Sequence, residues 1–74
     1  MIQELDRVVL TTNIPEHSLE QGDIGTVVLV HQNHQGYEVE FITLDGETVA
    51  VVSLSSEQIR SIGSKKIAHV RVLN

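Results

Sequence analysis

The chain has 74 residues, with ten acidic side chains against five basic ones, a net charge of −5 and no cysteine. That is enough for one domain; it leaves no disulfide, thiolate chemistry or Cys-based zinc site, and its acidity argues against nucleic acid as partner, because phosphate neutralisation needs a basic face. No apolar run nears the roughly 20 residues that span a bilayer, and Met1 leads into the polar Gln3-Glu4-Leu5-Asp6-Arg7 rather than a basic and apolar leader, so the expectation is a cytoplasmic protein with no membrane partner.

Leu5 to Thr12 reads as a first strand centred on Val8, Val9 and Leu10. Residues 13–21 are polar and hold the single proline, Pro15, which marks a long loop. Gly22-Asp23-Ile24-Gly25 then reads as a turn, since glycine takes positive φ without steric cost. The β-branched run that follows predicts a second strand over 25–32. Asn33-His34-Gln35-Gly36 is a turn cluster. Tyr37-Glu38-Val39-Glu40-Phe41-Ile42 alternates apolar and acidic residues, which predicts a half-buried strand with Tyr37, Val39 and Phe41 inward. Asp45-Gly46 is a hairpin signal leading into a fourth strand, Thr48 to Leu54. Ser55 and Gln58 have capping-box spacing with room for one 3-10 turn only. A short strand is predicted from Ile59 to Ile62, a break at Gly63-Ser64, and a last extended segment from Ile67 to Leu73.

Short strands with turn signals every 8–12 residues or so predict an all-β sandwich or barrel. In a chain this small the economical form is a five-stranded SH3-like barrel over residues 1–63, with residues 64–74 as an extra C-terminal strand or tail. An OB-fold usually needs a longer chain.

Several segments together are similar to one family. They are Leu5-Asp6-Arg7-Val8-Val9-Leu10, Ile14-Pro15-Glu16-His17, Gly22-Asp23-Ile24-Gly25-Thr26-Val27-Val28, Tyr37-Glu38-Val39-Glu40-Phe41, Leu44-Asp45-Gly46-Glu47-Thr48 and Ile67-Ala68-His69-Val70-Arg71. They resemble a group of small bacterial proteins known as a domain of unknown function, DUF4926. The resemblance implies a bacterial, SH3-like protein and brings no catalytic residue with it. The Gly-Asp-Ile-Gly turn is also similar to the KOW motif of ribosomal and transcription proteins, over one turn and one strand.

The residues that could carry chemistry have plainer readings. His31 and His34 are three apart, but strand neighbours at that spacing face opposite ways, and zinc wants three or four ligands. Glu38 and Glu40 share one strand face and read as its wet side. Asp45 and Glu47 supply too few oxygens for calcium. Phosphate loops, nucleophile elbows and His-Glu-x-x-His motifs are absent. With one tyrosine, one phenylalanine and no tryptophan, the chain lacks the aromatics for proline-peptide grooves or base stacking. The expectation is no catalytic, cofactor or metal site and no small-molecule substrate.

The functional hint is an apolar surplus. Val27-Val28-Leu29-Val30 and Val49-Ala50-Val51-Val52 are apolar on both faces. If Val28, Val30, Ala50, Val52 and Leu54 point inward, then Val27, Leu29, Val49 and Val51 face outward, and such a cluster marks an interface. The loop residues Pro15, Glu16 and His17 join them as a candidate partner surface, because loops on rigid strands are natural recognition sites. The sequence therefore predicts a non-catalytic protein–protein interaction module, self-associating or bound to another protein; a toxin, with this chain as antidote, is one such partner. The alternative is a KOW-like accessory domain of a ribonucleoprotein or transcription complex. Residues 65–73 are expected to pair as a strand, on this subunit or a neighbour, and to shield part of the valine cluster.

Overall fold

The computed structural model describes residues 2–62, 71 and 72. Five strands follow in chain order: β1 (Arg7–Leu10), β2 (Ile24–Val30), β3 (Tyr37–Ile42), β4 (Thr48–Leu54) and β5 (Ile59–Ser61). Two short 3-10 turns, Pro15–His17 and Gln32–His34, interrupt the loops. The strands form one sheet in the order β4-β3-β2-β1-β5, each neighbour antiparallel to the next. Among the described residues no ladder joins β4 to β5, so the sheet is open and only side chains bring its two ends together. Among those residues, no helix is long and apolar enough to cross a membrane. The strand expected over residues 65–73 lies outside the described residues, except for Arg71 and Val72, which are not in a strand.

One face of all five strands meets in a single core. Val8 and Leu10 come from β1, Val27 from β2, Tyr37, Val39 and Phe41 from β3, Val52 and Leu54 from β4, and Ile59 from β5. β3 follows strict alternation, because the Tyr37, Val39 and Phe41 side chains leave the backbone on the same side.

β2 departs from the expected facing. Val27 pairs with Val39 and Leu29 pairs with Glu38, so Val28 is an extra residue in a β-bulge. An unpaired residue bends the strand and resets which side chains point inward. Val27 is therefore fully buried in the core, contrary to its expected outward position, while Val28 and Leu29 are both exposed. Val30 returns to pack against the core. A second irregularity falls between Phe41↔Ala50 and Ile42↔Thr48, where Val49 is the surplus residue. Val49 is half-buried against the core rather than outward, and Val51 is exposed as expected.

The two glycines of the second turn do different jobs. Gly22 has φ +98° and makes the reversal. Gly25 lies within β2 and needs no positive φ; its missing side chain makes room for β3.

The long loop after β1 is pinned at both ends. Ile14 and Leu19 form an isolated β-bridge and both are buried. Pro15 starts the 3-10 turn between them, where its fixed φ suits the turn and its missing N–H is not needed. Ser18 closes the turn with φ 57°, its N–H bonded to the Pro15 carbonyl. The turn before β5 uses its capping spacing: Gln58 Oε1 accepts the Ser55 N–H at 2.9 Å. Thr11 ties that turn to the end of β1, its hydroxyl donating to the Glu57 carbonyl at 2.9 Å.

Candidate functional site

The residues of the expected partner surface fall in four places. Pro15, Glu16 and His17 are exposed on the loop after β1. Leu29 and Val51 lie on the outer face of the sheet, 47% and 51% exposed. They are not contiguous. Leu29 stands opposite Glu38 and Val51 opposite Glu40, so the glutamates of β3 separate them. Val27 belongs to the core, and Val49 turns toward a groove at the far end of the sheet.

On the outer face Glu38 is held by two neighbours. Its Oε2 accepts the Ser53 hydroxyl at 2.5 Å and lies 2.6 Å from His31 Nε2. The hydrogen bond from Ser53, then that from His31, hold the carboxyl below its usual range. The order of these groups matters. In a serine nucleophile relay the histidine stands between hydroxyl and acid. Here the acid stands between serine and histidine, so the Ser53 hydroxyl meets the carboxylate and not the imidazole. Glu40 is also engaged, accepting the Thr48 hydroxyl at 2.9 Å. Among the described residues, no three histidine, aspartate or glutamate side chains converge on a metal position.

The groove, about 710 Å³, lies between the β3–β4 hairpin and the start of β2. Leu19, Phe41, Ile42, Leu44 and Val49 give it apolar walls. Ile42 and Leu44 are 54% and 92% exposed, an apolar ridge at a hairpin end where polar residues are the rule. The hairpin is bridged by its own bonds: Thr43 N–H donates to the Glu47 carbonyl at 2.9 Å, and the Thr43 hydroxyl donates to Asp45. That hydroxyl holds the Asp45 carboxyl below its ordinary range. Leu44 is thus presented by structure rather than by looseness. The rim is charged, with Asp23, Glu40, Asp45 and Glu47 against Arg7 and Arg71.

Arg71 closes one end. Its Nε donates to Asp23 Oδ1 and its Nη2 to Asp23 Oδ2, both at 2.7 Å, a two-pronged guanidinium–carboxylate pair. Nη2 also donates to the Ser18 carbonyl at 2.9 Å, and Nη1 lies 3.7 Å from Glu20 Oε2. The Arg71 pair holds Asp23 below its usual carboxylate range, against the opposing effect of burial. With Arg71 spent on Asp23, the rim keeps Arg7 against Glu40, Asp45 and Glu47, so the open groove is acidic.

The family model for the domain of unknown function DUF4926 matches residues 4–61. The chain belongs to that family. No curated protein and no solved structure matches it. The span matched to DUF4926 takes in all five strands, both sides of the β3–β4 hairpin and Asp23, and ends before Arg71.

Sequence reasoning missed Ile42, Leu44, Asp23 and Arg71. One signal was present: Leu44 sits next to Asp45-Gly46, inside a turn, where a large apolar residue buries nothing. No local pattern links Asp23 to Arg71, which are 48 residues apart.

Proposed function

We propose that this is a non-catalytic protein–protein interaction module acting in the bacterial cytoplasm, and that it binds its partner through the groove beside the β3–β4 hairpin. The observation that carries the reading is the exposed pair Ile42 and Leu44, held on a braced hairpin over half-buried Val49. Exposing such side chains to water is costly unless a partner covers them. The acidic rim favours a partner with positive charge beside its apolar contacts. The cysteine-free composition fits a reducing compartment.

The test is co-purification of the tagged full-length protein from its own host, alongside an Ile42→Asp/Leu44→Asp variant shown to be folded by its spectrum. A protein chain held by the parent and lost from the variant is the expected result. Equal recovery on both would remove the groove from consideration. Recovery of RNA, with binding that falls steeply as salt rises, would replace this reading with the KOW-like one.

A further inference from the structure

The Arg71 guanidinium sits in a receptor that the chain builds without it. Asp23 Oδ2 accepts the Glu20 N–H at 2.8 Å, and the Asp23 N–H donates to the Glu20 carbonyl at 3.0 Å, so the turn itself aims the carboxylate. Leu10 of β1 lashes that turn down, its carbonyl accepting the Gly22 N–H and its own N–H donating to the Asp23 carbonyl, both at 2.9 Å. Ser18, in the left-handed conformation at the end of the 3-10 turn, directs its carbonyl to the same point. The Asp23 carboxylate and the Ser18 carbonyl are thus placed by residues 10–23, while the Glu20 carboxylate stands in solvent at the edge of the site. The occupant arrives from 48 residues away, its side chain is 31% exposed, and the next residue, Val72, stands in solvent.

We propose that Asp23, Glu20 and the Ser18 carbonyl form an arginine-recognition site for a partner polypeptide, filled in cis by Arg71, whose place the partner's arginine takes. The inference rests on the reading of the adjacent groove as the partner surface and names the chemistry that surface selects. Two features choose arginine over lysine. The Asp23 oxygens are satisfied by a planar fork, and one nitrogen of that fork reaches the Ser18 carbonyl as well. A lysine ammonium, a point charge on a flexible stem, cannot meet all three at once in that geometry. Displacing Arg71 is feasible because the pair is only partly shielded from water, so that solvent and salt weaken it. An intramolecular competitor still acts at a high effective concentration, so an arginine alone binds the native chain weakly. The partner gains the remainder from apolar side chains laid on Ile42, Leu44 and Val49, which line the same groove as Asp23 and Arg71.

The experiment is an NMR titration of isotope-labelled full-length protein with N-acetyl-arginine methylamide, and with its lysine and citrulline counterparts. Native chain, Arg71→Gln, Arg71→Lys and the double variant Asp23→Asn/Arg71→Gln are compared. Arg71→Gln should bind the arginine probe about tenfold more tightly than the native chain, with shifts centred on the Glu20 and Asp23 amides. Citrulline, which lacks the charge, and lysine should bind more weakly, and the double variant should lose the response. Equal response of native and Arg71→Gln chains, or equal response to arginine and citrulline, would overturn the proposal. If Arg71→Gln does not fold, Arg71→Lys decides: the arginine probe must bind it more tightly than it binds the native chain. The probe carries no apolar contact, so its outcome speaks to the arginine site alone, while the Ile42→Asp/Leu44→Asp variant speaks to the groove.

Discussion

Gly25 and Val39 meet so closely across the β2–β3 ladder that a β-carbon on Gly25 would lie 2.6 Å from Val39 Cγ1. The same β-carbon would lie 2.8 Å from Phe41 Cε1 and 3.0 Å from the Glu40 carbonyl. Val39 and Phe41 are both buried, and the backbone oxygen cannot move independently of the sheet. Gly25→Ala should therefore destabilise the protein by about 1–3 kcal/mol, the usual cost of overpacking. Urea unfolding checks this; a midpoint equal to the parent's would mean that β2 is free to lift away from β3.

Phe41 is the largest apolar side chain in the core cluster, and all but 3% of it is buried. Phe41→Ala should cost about 3–5 kcal/mol, transfer and cavity together. A domain this small has little stability to spare, so thermal melting should show a fall of tens of degrees or no cooperative transition. A loss of only a degree or two would contradict the inward placement of Tyr37, Val39 and Phe41.

The bulge at Val28 makes a paired prediction. Val27→Thr places a hydroxyl in the core beside apolar neighbours, with a cost of about 1–3 kcal/mol for the unsatisfied group. Leu29→Thr alters an exposed outer-face position and should stay within about 0.5 kcal/mol of the parent. Chemical denaturation of the two variants reads the facing of β2 directly. Equal costs at the two positions would restore a regular strand without the bulge, in which residues 27 and 29 share one face.

Asp23 supplies a pH dependence whose sign follows from its depressed carboxyl. A carboxyl titrating lower in the folded chain than its ordinary value of 3.8 adds stability above that value. The contribution is lost as pH falls through the folded value, when the carboxylate protonates and releases Arg71. The native chain should therefore exceed Arg71→Gln in stability near neutral pH, and the gap should close as pH drops below the ordinary carboxylate range. Denaturant melts at several pH values check it; a gap that stays constant into acid would show that Arg71 acts through packing and not through the Asp23 charge. The same gap should narrow in high salt, because the pair is only partly shielded from water.

The bounds of β3 and β4 were legible from the residues alone. Tyr37–Ile42 alternates so strictly that one register satisfies it, and Asp45-Gly46 leaves the hairpin no other place to turn. The all-β architecture followed from turn signals too closely spaced for a helix of any length. Facing within β2 was not legible. Val27, Val28, Leu29 and Val30 are all apolar, so nothing local says which of them the core accepts. A two-residue period has only two phases, and one unpaired residue exchanges them; the exchange was settled by the fit of Gly25 and Val27 against β3. The groove depended on tertiary structure for a different reason. Ile42 looks like an ordinary strand residue, and Leu44 stands out only as a large apolar side chain in a turn, until the sheet shows that nothing described lies over them. Asp23 and Arg71 are two charges among fifteen in the sequence, and only folding brings a carboxylate aimed by a turn against a guanidinium from the far end of the chain. Local pattern determines where the chain extends and turns, because those choices depend on neighbouring residues. Which side chains meet is decided by packing, because contact between distant residues is a property of the whole fold.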